Sequence, residues 1–314
     1  MKQSPLITIV VPVHNRENLV TRTLDSIAAQ DCRLSVVVVD NNSADGSRHV
    51  VEKWMEANRS ESVDMVLLSE TKPGAAAARN RGLKAVTTPW VMFFDSDDTM
   101  RPGHIARILK GIADYPDADI VGWDALLHRL DGTTKRLKFI CGNPITNHMF
   151  HASLATQRYA ARTSLVRDVG GWDESTKGWD DYVLGVKLLT RRPKMKKLGG
   201  RITVDIYEQA VSITGRSFSE KRGEWEAALD CCETILEKNG MRRHLRWVKA
   251  RRAIIAGHYT SEGNPCGRSD LEKLASEQKS AYTRWALRRI HDHIARRRRG
   301  VPLLCRILLF KCRI

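Results

Sequence analysis

The sequence predicts an α/β fold in which helices flank a mainly parallel, Rossmann-like sheet, followed by a C-terminal helical extension. Short apolar runs rich in β-branched residues alternate with stretches that carry apolar side chains at helical spacing. Such alternation produces βαβ units, whose strands run parallel. From about residue 219 the pattern is helical throughout, so we predict an α/β domain at 1–218 and a helical region at 219–314.

The first 125 residues contain the strongest pattern. The predicted strands are Leu6–Val13, Leu34–Val39, Val63–Leu68, Trp90–Phe94 and Ala118–Trp123. The predicted helices between them are Glu17–Gln30, Asp45–Asn58, residues 73–86 and Pro102–Asp114. The strands are short and continuously apolar, which is typical of a sheet buried on both faces.

The pattern after residue 125 is weaker. Residues 132–142 suggest a hairpin, and residues 159–175 suggest a short strand, a helical turn and a Gly-Gly loop. The remaining predicted helices are Asp181–Thr190, Glu220–Lys238, Arg242–Gly257 and Ser269–Arg299.

The positive charge of the chain lies near its C-terminus. Residues 241–314 hold 19 Lys and Arg against 5 Asp and Glu (+14), whereas residues 1–240 hold 33 against 31 (+2). This distribution favours attraction of the C-terminal part to a polyanion, either an anionic membrane or a nucleic acid. Seven cysteines without a CxxC motif predict reduced thiols in a cytoplasmic protein. The start of the sequence does not resemble a signal peptide, and no run reaches the ~20 apolar residues of a spanning helix.

Polar clusters follow three predicted strands directly. They are His14-Asn15, Asp40-Asn41-Asn42-Ser43 and Asp95-Ser96-Asp97-Asp98. Because ligands of parallel α/β sheets bind at the carboxyl ends of the strands, we expect these clusters to border one site.

The cluster of three acids in "FFDSDD" needs a source of neutralisation, because neighbouring carboxylates repel one another. A hard divalent cation, Mg²⁺ or Mn²⁺, is one source, and it is often shared between one or two carboxylates and substrate phosphates. The alternative is that Asp97 or Asp98 caps the helix that begins near Pro102.

Two further positions suggest nucleotide binding. Asp40 at a strand tip can accept the imide N–H of a uracil ring, although an ordinary Asx turn also explains an Asp there. Arg79 lies five residues after Gly74, in a helix whose N-terminus should face the same rim, where a cation could meet a diphosphate. For Lys72 and Arg81, as for Arg79, the alternative is solvated surface charge.

Five motifs occur in order along the chain and together carry a family resemblance. They are "VVPVHN" (Val10–Asn15), "VVDNNSADGS" (Val38–Ser47), "KPGAAAARNRG" (Lys72–Gly82), "FFDSDD" (Phe93–Asp98) and "VGGWDES…GWDDYVLG" (Val169–Gly185). In this order and spacing they resemble the family-2 glycosyltransferases, inverting enzymes with the GT-A fold that use nucleotide-diphospho-sugars. The resemblance covers about residues 6–190.

The resemblance implies a role for each matching residue. The nucleotide pocket would be formed by Pro12, His14, Asn15, Glu17, Asp40, Asn42, Gly74, Arg79, Asp95, Ser96 and Asp97. Asp40 would bind the base, typically uracil. Asp95 and Asp97 resemble the DxD element that holds Mg²⁺ or Mn²⁺, with Asp95 towards the ribose or phosphate and Asp97 on the metal.

In the same resemblance Asp181 would be the general base that activates an acceptor hydroxyl, with Asp180 where the family more often has Glu. The donor would be a UDP-sugar, and the acceptor a carbohydrate or a lipid-linked glycan of cell-surface polysaccharide or glycolipid synthesis. Many relatives also have a His in the segment that matches Asp205–Ser217. This chain has Ala210 and Val211 there, which leaves Arg216 as a candidate by charge alone. Of the two tryptophans near the acidic pair, Trp172 and Trp179, either could stack on a sugar or lie in the core.

Two other functional classes remain. A sugar nucleotidyltransferase should carry a Gly-rich basic loop after the first strand, and "PVHNREN" contains no glycine. A nucleic-acid-binding protein could use the basic tail, but the sequence has no zinc-finger spacing and no aromatic-basic RNA-binding signature, so a nucleic-acid partner is disfavoured.

The last residues combine charge with apolar side chains. Four arginines, Arg296–Arg299, precede an apolar stretch that includes Leu303, Leu304, Ile307, Leu308 and Phe310. An interfacial helix would set these side chains in a membrane with the arginines among lipid phosphates, at the inner face of the membrane. The alternative is a C-terminal helix docked on the catalytic domain with its arginines in solvent.

Overall fold

The computed structural model describes residues 5–58, 63–209, 217–297 and 300–309 of the 314-residue chain. Its strands are β1 (Ile7–Val13), β2 (Leu34–Asp40), β3 (Val63–Ser69), β4 (Trp90–Phe93), β5 (Thr99–Met100), β6 (Ile120–Gly122), β7 (Ala125–His128), β8 (Thr134–Leu137), β9 (Tyr159–Arg162), β10 (Met195–Lys197) and β11 (Val204–Tyr207). Its α-helices are α1 (Val20–Ala28), α2 (Ser47–Ala57), α3 (Ala75–Ala85), α4 (His104–Asp114), α5 (Pro144–His151), α6 (Thr163–Asp168), α7 (Asp180–Thr190), α8 (Arg222–Lys238), α9 (Leu245–Ser261), α10 (Cys266–Ser276), α11 (Ala281–Ala295) and α12 (Val301–Leu309).

The chain forms two compact units. The first consists of Met1–Gly142, Ser153–Ser175 and Arg191–Ala210, and the second of Asn143–Ala152, Thr176–Thr190 and Val211–Ile314. Every described strand lies in the first unit, and the described part of the second is helical. The domain boundary predicted at residue 218 stays a prediction.

The main sheet of the first unit has seven strands in the order β10-β6-β9-β4-β1-β2-β3. The pairs β10–β6, β4–β1, β1–β2 and β2–β3 are parallel, and β9 lies antiparallel between β4 and β6. β1 and β2 are buried on both faces because their residues are apolar without alternation. The predicted mainly parallel α/β architecture is therefore confirmed.

A second sheet, which the sequence pattern did not predict as a sheet, has the order β5-β11-β7-β8. β7 and β8 form an antiparallel hairpin, so the hairpin expected at 132–142 was correct in kind, but its first strand lies earlier at Ala125–His128. β11 pairs with both β5 and β7 and so brings the chain after residue 203 beside the acidic segment.

The prediction of one long helix over Ser269–Arg299 is wrong. The structure has two helices there, α10 and α11, which are separated by residues 277–280. Ser280 has an extended backbone and its hydroxyl accepts a hydrogen bond from the N–H of Thr283, which is the arrangement of a helix N-cap. The break therefore follows from a local capping signal within a continuous helical pattern.

The second unit has its own core, built around α8, α9 and α11. Trp225, Leu229, Val248, Ile255 and Leu287 are among its buried side chains. Gly257 allows α9 and α11 to approach closely, since a Cβ at this position would lie 2.8 Å from the carbonyl oxygen of His291. No described helix combines the length and the apolar character needed to cross a bilayer.

Candidate active site

The strands that carry the three polar clusters are neighbours in the main sheet. β1 lies between β4 and β2, all three run parallel, and Val13 at the end of β1 pairs with Asp40 at the end of β2. Their carboxyl ends therefore share one rim of the first unit. The structure brings together the predicted residues that follow these strands, as the topology of a parallel sheet requires.

Asp40 is buried at this rim and has an unusual environment. The residue is 7% exposed, and its Oδ1 has no hydrogen-bond partner among the described residues. A buried carboxylate oxygen without a donor is costly, because it has lost water without replacement. The position is therefore prepared to accept an N–H from a bound molecule. Pro12, half-buried in β1, pairs with Val39 next to Asp40.

Asn41 holds the neighbouring loop in place. Its amide nitrogen donates to the carbonyl oxygens of Glu70 (2.9 Å) and Lys72 (2.7 Å), and its Oδ1 accepts from the N–H of Gly74 (2.8 Å). The sequence analysis did not select Asn41 as a site residue. Its position in "DNNS", directly after a buried strand, was a sign that Asn41 could matter to the site. The sequence alone, however, does not show which of the two asparagines turns inward.

Three predicted residues after β1 connect the loop after β1 to the loop after β2. His14 Nδ1 lies 2.7 Å from the carbonyl oxygen of Asn41, Asn15 Oδ1 accepts from Ala44 N–H, and Glu17 Oε2 accepts from Gly46 N–H. All three side chains are thus used in loop-to-loop hydrogen bonds.

Asn42 lies exposed in the loop after β2. It donates to the carbonyl oxygen of Thr71 at 2.6 Å. Asn42 and Asn15 both have left-handed backbones, with φ of 54° and 52°, a conformation that Asn tolerates better than most residues.

Arg79 lies on α3, and Gly74 directly precedes this helix. Gly74 precedes the helix with φ 121°, which only glycine adopts readily, and a Cβ there would meet no atom within 4 Å. The N-terminus of α3 is therefore open at the backbone. Arg79 is buried; its guanidinium donates to Asp95 Oδ1 at 2.7 Å and lies 4.4 Å above the ring of Trp172. Arg79 is thus held in place by two partners, and it is not solvated surface charge.

The three acids after β4 have different environments. Asp98 is 1% exposed and accepts hydrogen bonds from the backbone N–H of Tyr207 and from the side-chain amide of Gln157. Its role is therefore structural. Burial first, and then the charges of Asp95 and Asp97, raise the pKa of Asp98 well above its usual value. The same Gln157 nitrogen also donates to Asp95 Oδ2.

The alternative that these acids cap the next helix is wrong. α4 begins after Gly103, and no side chain makes a capping hydrogen bond there. Asp97 instead lies 3.4 Å from the Nε of Arg16. Burial, followed by the charge of Asp95, raises the pKa of Asp97 above its usual value.

Asp95 and Asp97 are suited in donor type to a hard cation. Within the described residues no group of three or more His, Cys, Asp or Glu could hold a metal ion. Mg²⁺ commonly binds one or two carboxylates together with substrate phosphates. Burial and the charge of Asp95 disfavour the ionised form of Asp97 and raise its pKa in spite of the nearby Arg16, and a bound cation would favour the ionised form. Ser96, between the two acids, is buried.

The second sheet supports the acidic segment through residues that sequence reasoning missed. The guanidinium of Arg22 lies 4.1 Å above the ring of Tyr207 and donates to the backbone oxygen of Asp97 at 2.6 Å. Asp205 accepts from Arg101 at 2.6 Å and lies 2.7 Å from His128 Nε2. Burial alone would raise the pKa of Asp205, but these two partners outweigh it and lower that pKa. The alternation of Ile202, Val204 and Ile206 with polar residues is the local signal that could have predicted β11.

Asp180 and Asp181 begin α7 in the second unit. Asp180 Oδ1 accepts from the N–H of Asp181 at 2.9 Å, and Asp181 Oδ1 accepts from the N–H of Tyr182 at 2.7 Å. Negative side chains at a helix N-terminus are stabilised by its dipole, so the predicted capping position is compatible with a charged base. The catalytic roles of this pair stay predictions.

The two tryptophans near the acidic pair have different surroundings. Trp172 is 2% exposed and packs edge-on against Phe93, which is a core position. Trp179 is half-buried, with its ring 4.7 Å from Trp225 and under the guanidinium of Arg251 at 4.7 Å. Ala210, Val211 and Arg216 lie outside the described residues.

The first half of the chain matches a known protein family. Residues 8–154 match the family model described as glycosyl transferase family 2. The pre-mycofactocin glycosyltransferase of Mycobacterium tuberculosis is 28% identical over 198 residues, which are 60% of this chain and 40% of that protein. The chain covers only 16% and 40% of the length of the first curated relatives that it matches.

Two solved structures share the fold. S. aureus TarS 1–349 in complex with UDP-GlcNAc matches with a TM-score of 0.69 at 15% identity, over 96% of this chain and 90% of that chain. The mannosyltransferase PcManGT from Pyrobaculum calidifontis, in complex with GDP-Man and Mn²⁺, matches with a TM-score of 0.57 at 19% identity, over 99% and 88%. At these identities the likeness shows the fold alone, and the predicted GT-A fold is confirmed.

The segment that matches the family model runs from β1 to the end of α5 and contains the three polar clusters of the rim. Residues 8–154 therefore carry a glycosyl transferase family 2 sequence, as the motifs predict.

Proposed function

We propose that this protein transfers a sugar from a nucleoside-diphospho-sugar to an acceptor hydroxyl, with inversion at the anomeric carbon. The first candidate donor is a UDP-sugar. The acceptor class is a carbohydrate or lipid-linked glycan of cell-surface polysaccharide or glycolipid synthesis, and the proposed compartment is the cytoplasm. The seven cysteines of the sequence form no CxxC motif, which supports a reducing compartment.

The observation that carries the proposal is the unpaired Oδ1 of Asp40 at the rim. A uracil ring presents one imide N–H in the plane of the base, and a carboxylate at the tip of a strand can accept it. This hydrogen bond would contribute strongly to the free energy of nucleotide binding, because Asp40 is already buried and need not lose further water when the base binds.

The diphosphate would lie beside α3. The N-terminus of this helix offers backbone N–H groups next to Gly74, and Arg79 adds a fixed cation at the same rim. Mg²⁺ or Mn²⁺ held by Asp95 and Asp97 would add further positive charge where negative charge develops on the leaving group. Both neighbours of Arg79, Asp95 and Trp172, keep its guanidinium in place before the donor arrives.

The proposed reaction is one displacement. The acceptor oxygen forms a bond to the anomeric carbon while the bond from that carbon to the diphosphate oxygen breaks, and the nucleoside diphosphate leaves with the electron pair. Asp181 takes the proton of the acceptor hydroxyl. This role rests on the family resemblance and on its charge-favouring position in the first turn of α7.

Calorimetric titration with UDP, in the presence of Mn²⁺ and then of EDTA, tests the nucleotide site. We expect metal-dependent binding in the wild type, its loss in Asp97→Ala, and a clear weakening in Asp40→Ala. Asp64→Ala, at an exposed position of β3, is the matched control and should bind as the wild type does.

The result with other nucleotides decides the base. If GDP, CDP or dTDP binds and UDP does not, the transferase proposal stands and the choice of uracil is wrong. If none of the four binds, the proposal itself is refuted. A sugar nucleotidyltransferase would instead consume a nucleoside triphosphate and a sugar phosphate, so pyrophosphate release from such a mixture would identify that alternative.

A further inference from the structure

The helix α12 has one buried and one exposed apolar side. Cys305, Leu308 and Leu309 are buried within the second unit. Leu303 and Ile307, one turn apart, are 64% and 62% exposed, the highest values among the exposed large apolar residues. Residues at i and i+4 share a face of a helix, so these two side chains form one apolar stripe towards solvent.

In the structure α12 packs within the second unit, and a role of the tail at a membrane stays a prediction. α12 docks through part of the predicted apolar set, including Leu308, and still exposes Leu303 and Ile307. Leu304 is half-buried, and Phe310 lies outside the described residues. The exposed apolar face is therefore narrower than the sequence suggested.

The segment around this stripe is strongly basic. Residues 281–309 contain eight arginines and a single acidic residue, Asp292. Arg296 and Arg297 precede α12 and are exposed, and Arg306 lies in the helix between the two apolar residues. The guanidinium of Arg306 donates to Asn147 Oδ1 at 2.5 Å, which anchors it beside the stripe.

We propose that the exposed face of α12, defined by Leu303, Arg306 and Ile307, docks on an anionic lipid membrane. The two apolar side chains enter the boundary between head groups and acyl chains, and the arginines remain among the lipid phosphates. The helix is short and lies in the plane of the membrane without crossing it. The proposal concerns the second unit, whereas the proposed donor site lies in the first.

Charge and chemistry select the lipid surface over two other occupants. A second copy of the chain, docked through the same face, would bring two arginine-rich segments together, and like charges across an interface are unfavourable. A nucleic acid would satisfy the arginines, but its affinity comes from phosphates and stacked bases, and it offers no apolar layer to Leu303 and Ile307. An anionic bilayer supplies both partners.

Co-sedimentation of the full chain with vesicles tests the proposal. One set of vesicles contains phosphatidylcholine alone, and the other also contains phosphatidylglycerol. We expect binding to the second set, and we expect salt to weaken it. Binding of L303S/I307S should be at least about tenfold weaker, because this variant lacks the two apolar side chains that would be buried in the membrane. The matched control is L130S, since Leu130 is 56% exposed and lies in the first unit.

A second variant tests the charge separately. Changing Arg296–Arg299 to Gln should weaken binding to the anionic vesicles while leaving the apolar stripe intact. Circular dichroism and thermal unfolding of all variants show whether each one is folded, and UDP titration shows whether the rim of the first unit is intact. A failure of the transferase proposal would therefore not be confused with a failure here.

Several outcomes would overturn the inference. Wild-type protein that binds neither set of vesicles, or binds both equally, would do so, as would unchanged binding of L303S/I307S. If size-exclusion chromatography shows a dimer that L303S/I307S dissociates, and no vesicle binding occurs, the stripe is an interface between copies. Retention on RNA that depends on the arginines alone, without vesicle binding, would assign the basic segment to nucleic acid.

Discussion

The guanidinium of Arg79 donates a 2.7 Å hydrogen bond to Oδ1 of Asp95, and both side chains lie at the carboxyl end of the main sheet. The ion pair joins the start of one helix to the end of one strand, so it fixes the distance between two parts of the proposed donor site. A cation that is already immobilised loses little conformational entropy when a diphosphate binds.

Arg79→Lys should weaken nucleotide binding by roughly tenfold or more. Lysine keeps the charge, but it cannot keep both the directed hydrogen bond to Asp95 and the stacking on Trp172. Calorimetric titration with UDP and Mn²⁺ measures the change. Arg81→Lys, on the same helix, is the control and should be neutral; an Arg79→Lys variant with wild-type affinity would contradict the role of Arg79.

Asn41→Ala should also lower nucleotide affinity, although Asn41 need not touch the nucleotide. The variant removes three hydrogen bonds that hold residues 70–74 at the rim, each with a net value of about 1 kcal/mol. Asn42→Ala removes a single hydrogen bond of an exposed side chain and should have a much smaller effect. Equal losses in the two variants, measured by the same titration, would argue against a special function of Asn41.

Gln157→Leu should destabilise the first unit by about 2 kcal/mol, because it leaves one oxygen of buried Asp98 and one of Asp95 without their donor. Gln157→Glu should be worse at neutral pH, since it adds a carboxylate to a cluster of acids. Urea unfolding of the three proteins measures the differences. A Gln157→Glu variant as stable as the wild type would show that the cluster tolerates another charge.

His104 should make the folded protein sensitive to acid. Its ring is fully buried, with Nδ1 2.8 Å from the hydroxyl of Thr203, and burial, together with the charge of Arg107, lowers its pKa to about 3. The unfolded chain has an ordinary His pKa of about 6.5 and binds the proton more readily. The contribution of neutral His104 is therefore fully present above pH ~6.5 and is lost as the pH falls from there towards 3.

At pH 5 this loss amounts to about 2 kcal/mol of unfolding free energy. In His104→Leu, the fall in stability between pH 7 and pH 5 should be smaller by about that amount. Urea unfolding at the two pH values tests the difference. If both proteins lose the same stability, another group causes the acid sensitivity.

Asp181→Asn should abolish sugar transfer and leave nucleotide binding intact. The amide retains the shape of the side chain and can still accept a hydrogen bond from the N–H of Tyr182, but it cannot take a proton from an acceptor. Transfer is measured with the donor that the nucleotide titration selects. Undiminished transfer would remove Asp181 from the mechanism, and Asp180→Asn then tests its neighbour.

The parts of the fold that the sequence predicts best depend on local patterns. β1 and β2 were found because their apolar runs are continuous and end in polar clusters, and the parallel pairing of their ends then places Asp40 beside the end of β1. The shared rim followed from topology alone. Arg79 was selected by its position five residues after Gly74 in a helix that faces this rim, and the motif resemblance added Gly74 itself to the pocket.

The missed residues act through contacts between distant parts of the chain. Gln157 meets Asp95 and Asp98 across about 60 residues, and Tyr207 meets Asp98 across 109. β11 pairs with β5 and β7 over similar separations, so its short sequence "VDIY" contains no sign of its partners. Such positions depend on the tertiary fold, and no window of sequence contains that information.

The position of β9 has a consequence for the order in which the chain can complete its structure. β9 comes ninth along the chain, yet it separates β4 from β6 in the main sheet, and residues 195–197 supply the edge strand beyond β6. During synthesis β6 therefore emerges well before β9, the strand that joins it to β4. Until β9 is made, the backbone groups of β6 that pair with it lack their partners. The second sheet is completed only when residues 204–207 arrive. Two thirds of the polypeptide must therefore leave the ribosome before either sheet can close, and a nascent chain of this protein has an extended period of exposure to chaperones.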